Sequence, residues 1–305
     1  MKTRILALLA LAATLAACHF PDPKVDLAGP LPLDLTYREA KGGLVIITGR
    51  VDGREDVDFI LDTGAPVSVL IDGKRTTKLG LDTRGAKPLG DPSNPAAPIG
   101  VLRPDTRIAF NGVTLSGLTT VVIPEKTMPC RERFDEIGFA GVIGADLFRK
   151  FVVEIDPGTK RIRLHDPAKW QPTPGASVIP ISFRSGHPFV DVKVTLPSGV
   201  VVPEEMNLDI GMNGEIALVA GSHPAIVMPK DGKPRTSCLV NGSREERIGE
   251  PLDVTLGTKT LRAESPRYSD FPNLVNDRRA GSLGVKLFQG QRLTIDYPGK
   301  RVVIG

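Results

Sequence analysis

Leu61-Asp62-Thr63-Gly64 and Leu208-Asp209-Ile210-Gly211 stand 147 residues apart, and each closes an apolar run preceded by a hairpin pattern. A second pair of segments lies downstream in each half. Ala140-Gly141-Val142-Ile143-Gly144-Ala145-Asp146-Leu147-Phe148 returns, at an offset of 140, as Ala280-Gly281-Ser282-Leu283-Gly284-Val285-Lys286-Leu287-Phe288. Carried on to Leu164 and Ile304, 9 of the 25 positions are identical, among them Ile155-Asp156 against Ile295-Asp296 and Lys160-Arg161 against Lys300-Arg301. Two motifs recurring in the same order, at nearly the same spacing, argue for one unit written twice. The unit is mostly β. Residues 44–51, the Asp52-Gly53 turn and 57–61 read as a hairpin. Further strands are expected at 107–110, 113–115, 119–123, 151–155 and 161–164. In the second copy they are expected at 189–196, 200–202, 206–208, 216–219, 252–256, 292–295 and 301–304. Helical periodicity is confined to short stretches after Gly144 and Gly284. The 32 Gly and 27 Pro among 305 residues suit a chain rich in turns.

Asp62 leaves the end of a buried strand at a turn that Gly64 permits, with the Gly64 N–H free to meet a carboxylate. The Thr63 hydroxyl can bond to a neighbouring loop. A lone Asp-Thr-Gly usually stabilises a turn and nothing more. Its recurrence as Asp209, with an apolar-apolar-Gly segment following in each half, is far more specific.

Leu61-Asp62-Thr63-Gly64-Ala65, followed by Val142-Ile143-Gly144 ahead of Leu147-Phe148, resembles the aspartic peptidases. The Asp-Thr-Gly-Ala tetrad is closest to the retroviral type, and the duplication within one chain is pepsin-like in arrangement. The resemblance spans roughly residues 40–305 and is sharper in the first half. It implies an all-β, bilobal fold: two retropepsin-like β-barrel lobes with a cleft between them. It further implies that Asp62 and Asp209 face each other as the catalytic pair. Thr63, Gly64 and Gly211 would support the catalytic loops, and Gly144 and Gly284 the segments that cross beside them. Two carboxyls so placed cannot both ionise cheaply, so they share a proton. Such a pair activates a water against a peptide carbonyl with no metal and no cofactor.

The second copy departs from the family pattern at two positions. Ile210 stands where a Thr or Ser is expected, which removes a cross-loop hydroxyl, and Met212 stands where a small residue is expected. These departures leave a second reading open, a weak or inactive peptidase-like protein that binds a peptide or an envelope component. A third arrangement would pair Asp62 with its copy in another chain, although a monomer is the expected state. A lid over the cleft, or simply a loop, is expected between 84 and 103, where Gly85, Gly90 and Gly100 occur without Tyr or Trp.

The first residues are of another kind. Lys2 and Arg4 precede an apolar run ending Leu15-Ala16-Ala17-Cys18, which resembles the lipobox of bacterial lipoproteins. The expectation is a signal peptide over 1–17, lipidation at Cys18, and a tether from there to about 32. His19 after the Cys implies the outer membrane, facing the periplasm. The domain plan is 1–17 signal, 18–39 lipidated Cys and tether, 40–172 first lobe and 173–305 second lobe, with 170–176 as the junction. Without Lys2 and Arg4 the formal charge of +4 falls by half, and nothing suggests nucleic acid. Cys130 and Cys238 remain as an even pair in an oxidising compartment, either bridged or buried as thiols. The four histidines, His19, His165, His187 and His223, lack metal-ligand spacing. Gly138–Gly144 lacks the Lys-Ser/Thr ending of a phosphate loop. Asp156 and Asp296 read as turn caps.

Overall fold

The computed structural model describes residues 22–89, 100–128, 130–239, 242–270 and 280–305. The expected signal segment, Cys18, His19 and most of the lid tip fall outside them.

The fold is all-β and bilobal, a pepsin-like pairing of two retropepsin-like lobes. Each lobe has its own large sheet, and a six-stranded sheet joins them, with three strands from each half. At its centre Val152–Asp156 runs antiparallel to Leu293–Asp296, with Val153 opposite Ile295, Glu154 opposite Thr294 and Ile155 opposite Leu293. Glu154 and Thr294 are the same position in the two copies. A local two-fold axis therefore passes between them, and duplication in sequence becomes symmetry in space.

The strand that delivers Asp62 is Glu55–Leu61. Its first residues alternate, with Val57 and Phe59 inward, and its last three, Phe59-Ile60-Leu61, are all buried. That change marks a strand leaving the lobe edge for its centre, where both faces are covered. Burial of each such side chain stabilises the lobe by about 1.5–3 kcal/mol. Gly141–Ile143 lies parallel to it on one side, Ile143 opposite Leu61, and antiparallel to Val69–Leu70 on the other. In the second lobe Gly281–Gly284 runs parallel to the end of Val201–Asp209 and antiparallel to Ile216–Leu218. The crossing segment must approach backbone closely. A Cβ on Gly144 would lie 2.5 Å from the Ala65 carbonyl oxygen, and one on Gly284 would lie 2.7 Å from that of Met212.

Several expected elements differ in extent. The strands expected at 113–115 and 119–123 are one, Val113–Pro124, because Gly117 is accommodated within a continuous ladder whose partner, Gly100–Phe110, carries the register shifts. Likewise 200–202 and 206–208 merge into Val201–Asp209. The helix Arg131–Ile137 was not expected; its side chains are mostly exposed, so it lacks a clear apolar stripe. Part of the expected tether is structured: Lys24–Leu27 pairs with Val113–Ser116, and Leu33–Thr36 pairs with Leu164–Arg161 in the joining sheet. Alternate polar and apolar residues there supply a ladder in spite of the nearby prolines. Asp156 accepts from Gly158 N–H at 2.9 Å and Asp296 from Gly299 N–H at 2.8 Å, so both cap turns.

Cys130 and Cys238 form a disulfide that ties the first lobe to a hairpin of the second, Lys233–Leu239 with Gly242–Ile248. Beside it Arg133 Nη1 donates to the Thr236 carbonyl at 2.6 Å. The bridge closes a sequence separation of 108, so on chain-entropy grounds it stabilises by about 4–5 kcal/mol. Replacing both cysteines by Ser is expected to lower the thermal midpoint by several degrees and to abolish its sensitivity to dithiothreitol.

Candidate active site

Asp62 follows directly on its strand, its N–H donating to the Ile143 carbonyl at 2.9 Å, and Asp209 is the last residue of the equivalent strand. The two carboxyls are within hydrogen-bonding reach of each other. Gly64 N–H donates to Asp62 Oδ1 at 2.6 Å, and further backbone N–H groups reach Asp62 from Ala65 and Gly211. Asp209 takes backbone N–H groups from Gly211 and Met212. Each glycine also makes room for the opposite acid. A methyl at Gly64 would stand 2.7 Å from the Asp209 carboxyl carbon, and one at Gly211 would overlap the Asp62 carboxyl. The close approach of two backbone loops to two carboxyls is what requires glycine here.

Both acids are half-buried. Burial pushes the Asp62 carboxyl above its ordinary range, while its N–H donors pull it back. Burial also raises Asp209, and the neighbouring Asp62 charge carries it well above the usual carboxylate value. The pair therefore holds one proton more readily than separate acids would, and its titration belongs to both together.

Thr63 is fully buried and links the loops across the two-fold axis. Its Oγ1 donates to the Leu208 carbonyl at 2.6 Å and accepts from Ile210 N–H at 3.1 Å. Ile210, also fully buried, has no hydroxyl to return these bonds. The cross-loop link is thus made from one side only. The methyl end of Met212 packs near Gly284, where an added Cβ would come within 2.8 Å of it. Thr63→Val is expected to strand a carbonyl and an N–H, costing about 2–4 kcal/mol in denaturant unfolding, whereas Thr63→Ser keeps most of the stability.

The supports behind the loops form a second asymmetric pair. In the first lobe Ser68 N–H donates to Asp146 Oδ2 at 2.7 Å, and Arg149 holds the other oxygen at 2.5 Å. Gly144 N–H donates to Ser68 Oγ at 3.3 Å. The same positions in the second lobe are Glu215 and Lys286, and Lys286 Nζ donates to Glu215 Oε1 at 2.8 Å. The acid has moved from the crossing segment to the loop, and a base has replaced it. Asp146 and Lys286 fall within the duplicated segments, but Ser68 and Glu215 do not, and the partnerships are visible only in space.

Two residues outside the sequence-derived set touch the loop of Asp62. Tyr297 donates from its hydroxyl to the Thr63 carbonyl at 3.3 Å, with its ring against Phe148 and Phe183. His187, at the start of His187–Thr195, reaches the Gly64 backbone; burial lowers its pKa to about 4, and its Nδ1 is buried without a partner. Neither carries a local motif. Tyr297 stands where the first copy has Pro157, so the repeat hid it.

Among the described residues no group of three or more His, Cys, Asp or Glu side chains is placed to hold a metal ion. Nor is any helix there long and apolar enough to cross a membrane. The first part of the lid is present as Lys87–Leu89 against Gly100–Leu102. Residues 47–147 match the family model described as aspartyl protease, a stretch that includes Asp62-Thr63-Gly64 and the crossing segment through Gly144. The match lies within the first lobe and supports aspartic peptidase activity in general. No curated protein matches the chain.

Proposed function

We propose that the chain is an aspartic-type endopeptidase that hydrolyses peptide bonds with a water activated by Asp62 and Asp209. The observation that carries this reading is the meeting of the two carboxyls, from equivalent strand ends, over paired glycines. In the singly protonated pair, the ionised carboxylate draws a proton from a water between the acids as its oxygen attacks the scissile carbonyl. The protonated carboxyl hydrogen-bonds the carbonyl oxygen and stabilises the gem-diol that forms. Collapse passes a proton to the leaving amine and breaks the C–N bond, with no covalent enzyme adduct. The backbone N–H groups of Gly64, Ala65, Gly211 and Met212 hold the acids in place throughout. Thr63, bonded to Leu208 and Ile210, keeps the two loops in register.

The same proposal anchors the mature chain to the outer membrane through acylated Cys18, as a monomer in the periplasm, where peptides or proteins are its substrates. More than one acyl chain is needed for stable anchoring. The test is incubation of the detergent-solubilised chain with a diverse peptide mixture from pH 3 to 7, beside Asp62→Asn and Asp209→Asn. Cleavage lost in both variants supports the shared dyad, and cleavage surviving Asp209→Asn overturns it. Absence of cleavage at every pH would favour the binding reading, in which the one-sided loop link at Ile210 marks a site that no longer turns over.

A further inference from the structure

The hairpin tied by the disulfide buries an unusual amount of positive charge on its inner face. Across it Arg235 lies opposite Glu246 and Ser237 opposite Arg244. Ile248, on the same face, lies opposite Arg267 of the neighbouring strand Arg267–Ser269. Directly opposed residues in an antiparallel ladder share a face, so three guanidinium groups gather on one side. They sit close enough to act on one another: burial lowers the pKa of Arg267, and the charges of Arg235 and Arg244 lower it further against the opposing pull of Glu246 and Glu215.

This cluster abuts the second catalytic loop. Arg267 Nη2 donates to the carbonyl of Asn213, in the turn that leaves Asp209. A methyl on Gly214 would come within 2.5 Å of the same nitrogen. Compensation is incomplete. Glu215 is already engaged by Lys286 Nζ at 2.8 Å and by Ser265 N–H at 2.7 Å. Glu246 accepts from the Ser237 hydroxyl, and its nearest approach to Arg244 Nε is 3.8 Å. Among the described residues these four cations face two carboxylates. The Nε atoms of Arg235 and Arg244 are both buried and have no hydrogen-bond partner. Arg149 Nε of the first lobe is also buried without a hydrogen-bond partner, but its Nη2 is bonded to Asp146 at 2.5 Å, and Arg50 takes both oxygens of Asp56 at 2.8 and 2.9 Å. Burying cations with donors unspent is costly, and a ligand carboxylate would offset that cost with charge-assisted, forked bonds.

The first lobe lacks the feature. By register the position equivalent to Arg267 is Val121, apolar and buried, which lies opposite Val69 as Arg267 lies opposite Ala217. The nearby Arg103 is neutralised by Asp52 at 2.6 Å. The two lobes therefore differ in the charge packed behind their catalytic loops, although the loops themselves are paired.

We propose that Arg235, Arg244 and Arg267 form an anion subsite on the second-lobe side of the dyad. It holds a carboxylate of the bound peptide, either an acidic side chain or the chain's own C-terminus, a few residues from the scissile bond. Its placement beside a scissile bond rests on the hydrolytic reading given above; its capacity to bind an anion does not.

The experiment uses the detergent-solubilised full chain carrying Asp62→Asn, titrated with fluorescein-labelled octapeptides. One Glu is walked through the central positions, each peptide is paired with its Gln counterpart, and each is made with a free and an amidated C-terminus. The expected result is one acid-bearing peptide that binds about 10-fold or more tighter than its neutral counterpart. Arg235→Gln and Arg244→Gln together should erase that preference. Loss on amidation alone identifies the chain end as the ligand, and loss on Glu-to-Gln exchange identifies a side chain. The subsite is overturned if every charged and neutral pair binds alike, if none binds, or if the preference survives the double variant. The comparison on unsubstituted arginines does not depend on how the variants fold. Cleavage by the unsubstituted chain, run on the same peptides, separates the two readings. Hydrolysis with no charge preference removes the subsite and leaves the peptidase. Preference without hydrolysis removes the peptidase and leaves the subsite.

Discussion

Asp62→Asn and Asp209→Asn are each expected to reduce kcat by about ten-thousand-fold or more while leaving the fold intact and, at neutral pH, more stable than the parent. The loss follows from the shared proton. An amide cannot accept the proton of the attacking water, and with only one carboxyl the pair can never hold the singly protonated state that both halves of the reaction need. The two single variants should therefore be about equally inactive, and the double variant little worse. Activity in the parent should fall at low pH, where the second carboxyl is protonated. It should fall again at a pH well above 3.8, where the last proton leaves Asp209 and Asp62. The gain in stability has a definite sign. Both folded-state values are raised, so the native protein holds more protons than the unfolded chain once the pH exceeds about 3.8, the value of an unperturbed Asp. The pair contributes no penalty below that pH, and stability is lost as pH rises through the raised values. Removing one carboxyl removes that loss, worth about 1.4 kcal/mol for each pKa unit of elevation. His187 slopes the other way: the unfolded ring protonates near 6.5 and the folded one only near 4, so stability falls as pH drops between them. Urea unfolding at pH 4, 5.5 and 7 of the parent and Asp209→Asn checks this. Equal stabilities at pH 7 would mean that the acids are not strained against each other.

Much of the fold was legible because it is written twice. The hairpin before Asp62 and the crossing strand at Gly141–Ile143 carry their own apolar runs, and the copies at Asp209 and Gly281–Gly284 repeat them in order. Strand ends were less legible where a break in apolar pattern sits inside a continuous ladder, as at Gly117. Residues 24–27 looked like a free tether, since nothing local reveals that Val113–Ser116 offers them an edge. At the candidate site the sequence points to the acids and the glycines, which sit in motifs. It is silent on Tyr297 and His187, which reach the loop from remote strands. It also conceals the exchange of Ser68 and Asp146 for Glu215 and Lys286. Each copy alone looks ordinary at those positions, and only their contact shows that a hydrogen-bonded support has become an ion pair. Arg235 and Arg244 of the second-lobe hairpin and Arg267 of the neighbouring strand are scattered over 33 residues of sequence and meet through register, which composition does not express.

Gly211→Ala should slow the reaction by about a hundred-fold, although it removes no functional group. The added methyl would fall on the Asp62 carboxyl itself. That carboxyl cannot step aside at small cost, because Gly64 N–H holds Oδ1 at 2.6 Å and the strand behind it is fixed by Asp62 N–H on the Ile143 carbonyl. The loop carrying Gly211 cannot retreat either, since Thr63 clasps the Leu208 carbonyl and Ile210 N–H on either side of Asp209. The remaining response is for the two loops to splay and the acids to part. A displacement of about 1 Å costs about a hundred-fold in rate, and overpacking of this kind destabilises by about 1–3 kcal/mol. Parting the acids also weakens the field of Asp62 at Asp209, so the alkaline limb of the pH profile should move to lower pH. This shift distinguishes a separated dyad from a merely less stable protein, which would lose rate at all pH values alike. Gly29→Ala is the control, because a methyl there meets nothing within 4 Å. Unchanged rate and profile in Gly211→Ala would mean that the carboxyls do not approach each other as closely as their glycines imply, and the shared-proton mechanism would lose its structural basis.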